Sequence, residues 1–350
     1  MRNTGFGMTL DKRFSLTPDF WVLCYYSSPM PTLVRSFAKI NIGLRIGRRR
    51  EDGFHELRTI YQTLAVHDII KVEVSRGVGI EICCKDPRVP TDESNTCWRI
   101  ADRVLRALKV RSKVRIAIEK NLPVQGGMGG ASSNAVATML ALERALKTEI
   151  PPEEQMRIAA EVGSDVPLFL IGGTVLGSGR GEQVYAIEDL PAIHCVVATP
   201  EIGVSTPAAF AEWDKKLTTD GSSDRINKFS HDVYEWLNRS RFSPTGVPDK
   251  VWDRAEALLL DLVRAGIEND FESVVFPMYP AIREVKRGLE RSGARYVSLS
   301  GSGSTVYGLF DGEQVAAEAA GKLKQAGIPA QATVTLSRTQ YWKELFPSKL

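Results

Sequence analysis

Residues 123–135, PVQGGMGGASSNA, carry four glycines and two serines at the mouth of a run with helical periodicity. Glycines let backbone N–H groups come close to an anion, and a first helical turn holds unsatisfied donors at the positive end of its dipole. Ser132 and Ser133 add hydroxyls that can reach phosphate oxygens or a metal ion. The chemistry implied is phosphate binding, although neither common phosphate fingerprint is spelled. No lysine follows these glycines as in G-x-x-x-x-G-K-[ST], and no G-x-G-x-x-G with a later acid is present. A tight strand-to-helix turn capped by Ser132, Ser133 or Asn134 accounts for the same residues.

Other stretches favour the chemical reading. SFAKINIGLRI sets Lys39 and Asn41 on one face of a strand, amid apolar neighbours. An inward lysine is costly unless it meets an anion; at a strand edge its head can instead snorkel to water. GSDVPLFL places Asp165 ahead of a proline and an apolar run, where it serves either as a turn cap or as a partly buried base. SLSGSGSTVYGLF supplies a second glycine-serine turn between two strands. It is a plain hairpin turn, or a second backbone packed against the first loop.

The elements that must hold these residues are legible from periodicity. Alternation marks strands over 32–46, from Asp68 through Cys84 with a glycine break, and over 113–119 into the loop. Helical spacing follows over 132–147, then in EEQMRIAAEVG, PAIREVKRGLERSG and EQVAAEAAGKLKQAG, with helices also expected from Arg254 to about Phe271. The strand CVVAT leads into a helix after GVSTP, and a last strand is expected at QATVTLSR. Residues 214–253 are polar and read as an irregular insertion holding at least one short helix, DVYEWL. Strands and helices mix without regular βα alternation, so the fold class is α+β.

With 350 residues, 43% hydrophobic and 25% charged, the chain is large enough for one big or two medium domains. A formal charge of +3, from 45 basic and 42 acidic residues, is too weak and too scattered for nucleic-acid binding. No unbroken apolar run reaches membrane-spanning length. Five cysteines (Cys24, Cys83, Cys84, Cys97 and Cys195), without framework spacing or a C-x-x-C pair, point to free thiols in a reducing, cytoplasmic compartment and argue against structural zinc. Residues 1–30 lack the alternation that starts at Thr32 and are expected to be a disordered extension, with Met30 as the functional start.

Taken together, SFAKINIGL, PVQGGMGGASSNA and LSGSGSTVYGLF resemble the three motifs of the GHMP kinase superfamily, in the family's order, across residues 36–310. The D-G-F-H-E-L run and GSDVPLFL are similar to the branch that acts on a cytidine-diphosphate-linked tetritol in non-mevalonate isoprenoid synthesis. The Gly-Glu-His element of galactokinases and mevalonate kinases is absent. The resemblance implies two domains: residues 31–190 similar to the ribosomal protein S5 domain 2, and residues 191–350 ferredoxin-like, with the site between them.

It also implies ATP with Mg²⁺, and transfer to the tetritol's 2-hydroxyl. Pro123, Gly126, Gly127, Gly129, Gly130, Ser132 and Ser133 would wrap ATP, while Asp165 takes the hydroxyl proton beside Lys39. In such transfers positioning and charge dominate the rate. Asn41, Phe54, His55 and Phe210 match the branch's cytidine-diphosphate contacts, with Phe54 and Phe210 sandwiching the base and His55 at its edge. Two positions depart from the branch: Phe54 replaces a tyrosine, and Ala131 a third consecutive glycine. Mg²⁺ ligands are not marked by any acid; Ser133 is the candidate. The chain is expected to act as a monomer or weak homodimer. A GHMP kinase for another alcohol, or a non-catalytic relative, are the alternative readings; retention of both Lys39 and Asp165 speaks against the latter.

Overall fold

The computed structural model describes residues 31–216, 222–239 and 266–347. The extension expected over 1–30 lies outside them. The first lobe is a sheet of β1 (Thr32–Arg49), β2 (His55–Ser75), β3 (Gly79–Cys84), β4 (Lys113–Glu119), β5 (Thr174–Ser178) and β6 (Gln183–Ala186). Its order is β3-β4-β2-β5-β6, with β1 paired to β2; the β3–β4 pair is parallel and the rest are antiparallel. β2 starts at His55, well before the Asp68 at which its alternation becomes obvious, and its length lets β4 and β5 share one edge. β1 is buried on both faces: Ile40 and Ile42 enter an apolar core, and Lys39 and Asn41 point the other way.

Three α-helices of residues 96–162 pack on this sheet: α1 (Thr96–Ala107), α2 (Gly130–Leu146) and α3 (Pro152–Val162). Asn95 caps α1, its Oδ1 accepting from Cys97 N at 2.8 Å. α2 packs against β1, β2 and α1 at once. That explains why Ala135, Val136, Ala137, Met139, Ala141 and Leu142 leave it no clear polar face.

The second lobe runs through α4 (Thr206–Lys216), α5 (Ser222–Arg239), α6 (Glu272–Met278), α7 (Pro280–Arg291) and α8 (Glu313–Gln325). Its sheet holds β7 (His194–Ala198), β8 (Tyr296–Leu299), β9 (Val306–Phe310) and β10 (Ala330–Val334) in the antiparallel order β10-β7-β9-β8. With α7 and α8 as crossovers this is the expected ferredoxin-like arrangement. The two sheets share a packed core in which Ile40, Ile60 and Leu64 meet Cys195, Tyr307 and Leu309.

Two expectations are corrected. The helix expected at DVYEWL forms, but α5 is 18 residues long where an irregular insertion with at least one short helix was expected. Its polar composition hides a stripe of Ile226, Phe229, Val233 and Trp236, all buried; residues 217–221 and 240–253 lie outside the described residues. The helix expected to about Phe271 does not reach it. Residues 254–265 are not described, and the chain from Gly266 to Phe271 is turns around a single β-bridge at Asn269, with Leu44 N donating to Glu268 O at 2.9 Å and Asp270 N to Leu44 O at 2.8 Å. A further helix, α9 (Arg338–Leu345), returns to the first lobe, where Tyr341 and Leu345 join the core and the Tyr341 hydroxyl donates to Phe169 O.

Candidate active site

The glycine loop leaves β4 and enters α2, and it is held from both lobes. Gly127 has φ +81, and a side chain there would put Cβ 2.3 Å from Ser300 O. Ser300 Oγ donates to Gly127 O at 3.0 Å and Thr305 N to Gly126 O at 3.1 Å. The second glycine-serine turn therefore does pack its backbone against the first loop. Gly129, at φ +69 and ψ 15, is the N-cap of α2, and no side chain caps it. The capping expected of Ser132, Ser133 or Asn134 is thus overturned: the left-handed glycine starts the helix at Gly130, and all three residues fall inside it. Ser133 is buried with its hydroxyl 2.8 Å from Ser36 Oγ, and Asn134 Nδ2 donates to buried Asp68 at 3.1 Å. Asp68 also accepts from Asn121 N and Leu122 N and pairs with Lys120, so one buried carboxylate fixes the run into the loop.

Beside the loop lies a cavity of about 320 Å³, lined by the loop from Pro123 to Ser132 and by Arg88, Asn95 and Lys120. Lys120 is paired with Asp68 and Arg88 with Asp86, so the feature suited to phosphates is the uncapped helix N-terminus with its free N–H groups. Ala131 fits without strain, exposed in the first turn of α2 and outside the left-handed region.

On the other side of the loop, Lys39 N donates to Met128 O at 3.0 Å. Its ammonium, 3% exposed, donates to Asn41 Oδ1 at 2.7 Å and pairs with Asp165 Oδ2 at 3.3 Å. Asn41 Nδ2 donates to Thr59 Oγ1 at 2.9 Å, so this amide stands behind the lysine and orients it. Asp165, about one-third exposed, is the open member of the group. Tyr61 on β2, 2% exposed, donates its hydroxyl to Asp165 Oδ1 at 3.0 Å, and its ring lies 5.4 Å from the ammonium. Burial first, and the Asp165 charge second, push the Tyr61 phenol well above its ordinary range, so it stays a donor.

The aromatic residues gather at the far end of β1 and β2. His55 and Phe210 stack, with rings 4.8 Å apart and 7° from parallel, and Phe271 meets Phe210 edge-on at 4.9 Å. His55 Nε2 lies 2.7 Å from Asp214 Oδ1. Phe54 is 52% exposed, with the Arg180 guanidinium 4.8 Å from its ring. Buried His55 thus holds the face of Phe210, and Phe54 lies at the rim against a cation.

Family models match twice, the GHMP kinases N terminal domain over residues 95–173 and the GHMP kinases C terminal domain over 255–329. The chain is 34% identical over 299 residues to the 4-diphosphocytidyl-2-C-methyl-D-erythritol kinase of Geobacter sulfurreducens, covering 85% of this chain and 97% of that one. The chain belongs to the 4-diphosphocytidyl-2-C-methyl-D-erythritol kinase family of GHMP kinases. A crystal structure of a 4-(cytidine 5'-diphospho)-2C-methyl-D-erythritol kinase superposes with a TM-score of 0.66 at 31% identity, over 87% of this chain and 98% of that one. A homoserine kinase from Cytophaga hutchinsonii, 17% identical with a TM-score of 0.65 over 89% of this chain and 97% of that one, shares the fold.

For a kinase of this family, the residues singled out in the sequence fall into three places. The loop glycines, Pro123 and Ser132 border the cavity; Lys39, Asn41 and Asp165 converge beside it; Phe54, His55 and Phe210 lie at the end of the strands. Sequence reading missed Lys120, Asp68, Tyr61 and Asp214. Asp68 and Lys120 sit in ordinary strand-end contexts, and Tyr61 in TIYQTL reads as one more core aromatic. Only the fold, by pairing Tyr61 with Val175 and bringing the turn at Asp165 over β2, gives it a role.

Proposed function

We infer that this kinase transfers the γ-phosphoryl group of ATP to the 2-hydroxyl of 4-diphosphocytidyl-2-C-methyl-D-erythritol. The observation that carries this is the Lys39–Asp165 pair, seated on the backbone of an uncapped glycine loop. Asp165 accepts the proton of the attacking hydroxyl. Lys39 holds that carboxylate and offsets the charge that builds during transfer, and Asn41 fixes the ammonium. The loop N–H groups and Ser132 hold the ATP phosphates, beside the Lys120–Asp68 and Arg88–Asp86 ion pairs.

His55 begins β2 six residues before Tyr61, roughly 20 Å at about 3.3 Å per residue. A ligand that reaches both ends must be elongated, as a nucleoside diphosphate joined to an alcohol is. Phe210 offers the base a stacking face once His55 turns aside, and Phe54 closes it from the rim. Mg²⁺ keeps most of its shell as waters and phosphate oxygens and needs few protein ligands. Ser132, at the cavity wall, suits it better than Ser133, whose hydroxyl is tied to Ser36. When bound it neutralises phosphate charge. The free thiols of Cys83, Cys84, Cys97 and Cys195 suit a reducing cytoplasm, where the enzyme acts as a monomer or weak homodimer.

The test is ADP release from ATP and Mg²⁺ with this substrate, beside homoserine and mevalonate, for wild type and Asp165→Asn. Turnover on the cytidine substrate alone, lost by at least about 100-fold in the variant, is expected. Turnover confined to another alcohol would overturn the substrate assignment.

A further inference from the structure

Tyr61 is a buried phenol aimed at the reacting centre, and the assignments above give it no part. Its hydroxyl donates to Asp165 Oδ1 at 3.0 Å, while Lys39 takes Oδ2 at 3.3 Å. The two carboxylate oxygens are thus held by different donors, from β2 and β1. The surrounding chain makes room for this phenol. A Cβ on Gly177 would lie 2.5 Å from Tyr61 Cε2, and one on Gly181 2.5 Å from its hydroxyl and 3.8 Å from Asp165 Oδ1. Gly181 has φ +100, so its lack of a side chain serves both the turn and the hydroxyl.

We propose that Tyr61 is a positioning residue for the phosphoryl transfer, its hydroxyl fixing the rotation of the Asp165 carboxylate so that a free lone pair faces the substrate alcohol. The proposal rests on Asp165 being the base. A single partner would leave the carboxylate free to swing about its Cβ–Cγ bond; two donors on two oxygens remove that freedom. Burial keeps the phenol protonated, so it donates throughout the working pH range. The ammonium over the Tyr61 ring ties the three groups into one unit. Tyr61 does not touch the alcohol; it acts through Asp165.

Tyr61→Phe keeps the ring and its packing and removes only the donor. Steady-state kinetics on the cytidine-diphosphate substrate, over pH 5–9, would be run for wild type, Tyr61→Phe and Asp165→Asn, with thermal melts alongside. The expected result is a fall in kcat of about 10-fold, on the scale of one charge-assisted hydrogen bond, with both KM values within about two-fold of wild type. A merely structural tyrosine would lower the melting temperature and move both KM values along with kcat. Wild-type kcat in Tyr61→Phe, with Asp165→Asn inactive, would overturn the proposal and leave Asp165 as the base. Full activity in Asp165→Asn would overturn both.

Discussion

Replacing Gly127 by alanine tests whether the two glycine-serine turns really brace each other. Left-handed backbone costs a residue with a side chain about 1–2 kcal/mol, and Gly127 sits at φ +81. The new Cβ would fall 2.3 Å from Ser300 O, so the turn at residues 300–305 must withdraw by about 1 Å to restore ordinary contact. Such a shift breaks the 3.0 Å bond from Ser300 Oγ to Gly127 O and the 3.1 Å bond from Thr305 N to Gly126 O, each worth about 0.5–1.5 kcal/mol. The sum is about 2–5 kcal/mol, shared between lost stability and a displaced phosphate loop. Gly130→Ala is the matched control. Its Cβ meets nothing nearer than the flexible end of Lys120 at 3.4 Å, and it lies in a right-handed first turn. Thermal melts and the KM for ATP are the readouts. Gly127→Ala should melt several degrees lower and show a KM for ATP raised by roughly 10-fold or more, while Gly130→Ala keeps the wild-type melting temperature. A Gly127→Ala protein with wild-type melting and ATP kinetics would refute the bracing.

Lys39→Met should cost at least about 100-fold in kcat with the protein still folded, measured as ADP release beside circular dichroism. Phe210→Ala should raise the KM for the cytidine substrate by roughly 5- to 100-fold, the worth of one base stack, and leave the KM for ATP unchanged; equal effects on both would place Phe210 in general packing. Asp68→Asn breaks a buried pair with Lys120 and weakens two backbone bonds. It should destabilise the protein by about 3–5 kcal/mol in urea titration.

The site depends on both lobes at once. Gly126 and Gly127 belong to the loop of the first, and the groups that pin them, Ser300 and Thr305, belong to a turn of the second. Tyr307 on β9 donates its hydroxyl to Asn41 O at 2.9 Å, so the strand that carries Lys39 is also tied across. A rigid shared core under this junction keeps the loop and the Lys39–Asp165 pair in one frame, which a reaction governed by positioning requires.

That dependence explains what the sequence could and could not reveal. Glycines that must adopt left-handed backbone, and a lysine and aspartate that have no place in a core unless paired, carry their chemistry in their residue types; the loop, Lys39 and Asp165 were therefore legible. Most strands and helices were legible too, because alternation and three-to-four spacing are local, but β5, β6 and the first half of β2 were not. α5 was not, since its apolar stripe is thin and its polar residues dominate any short window. Nor was α9, whose Tyr341 and Leu345 have value only against a lobe more than 150 residues upstream in the chain, at Phe169. Tyr61 shows the same limit at the site itself. A tyrosine and a phenylalanine fit an apolar alternation equally well, and the difference between them is one hydroxyl whose partner lies 104 residues away. The aromatic end shows the same limit: residue type named His55 and Phe210 but could not say that the imidazole, held by Asp214, would stack on Phe210. Residue chemistry announces which groups want a partner; only the closed fold decides which partner each one gets.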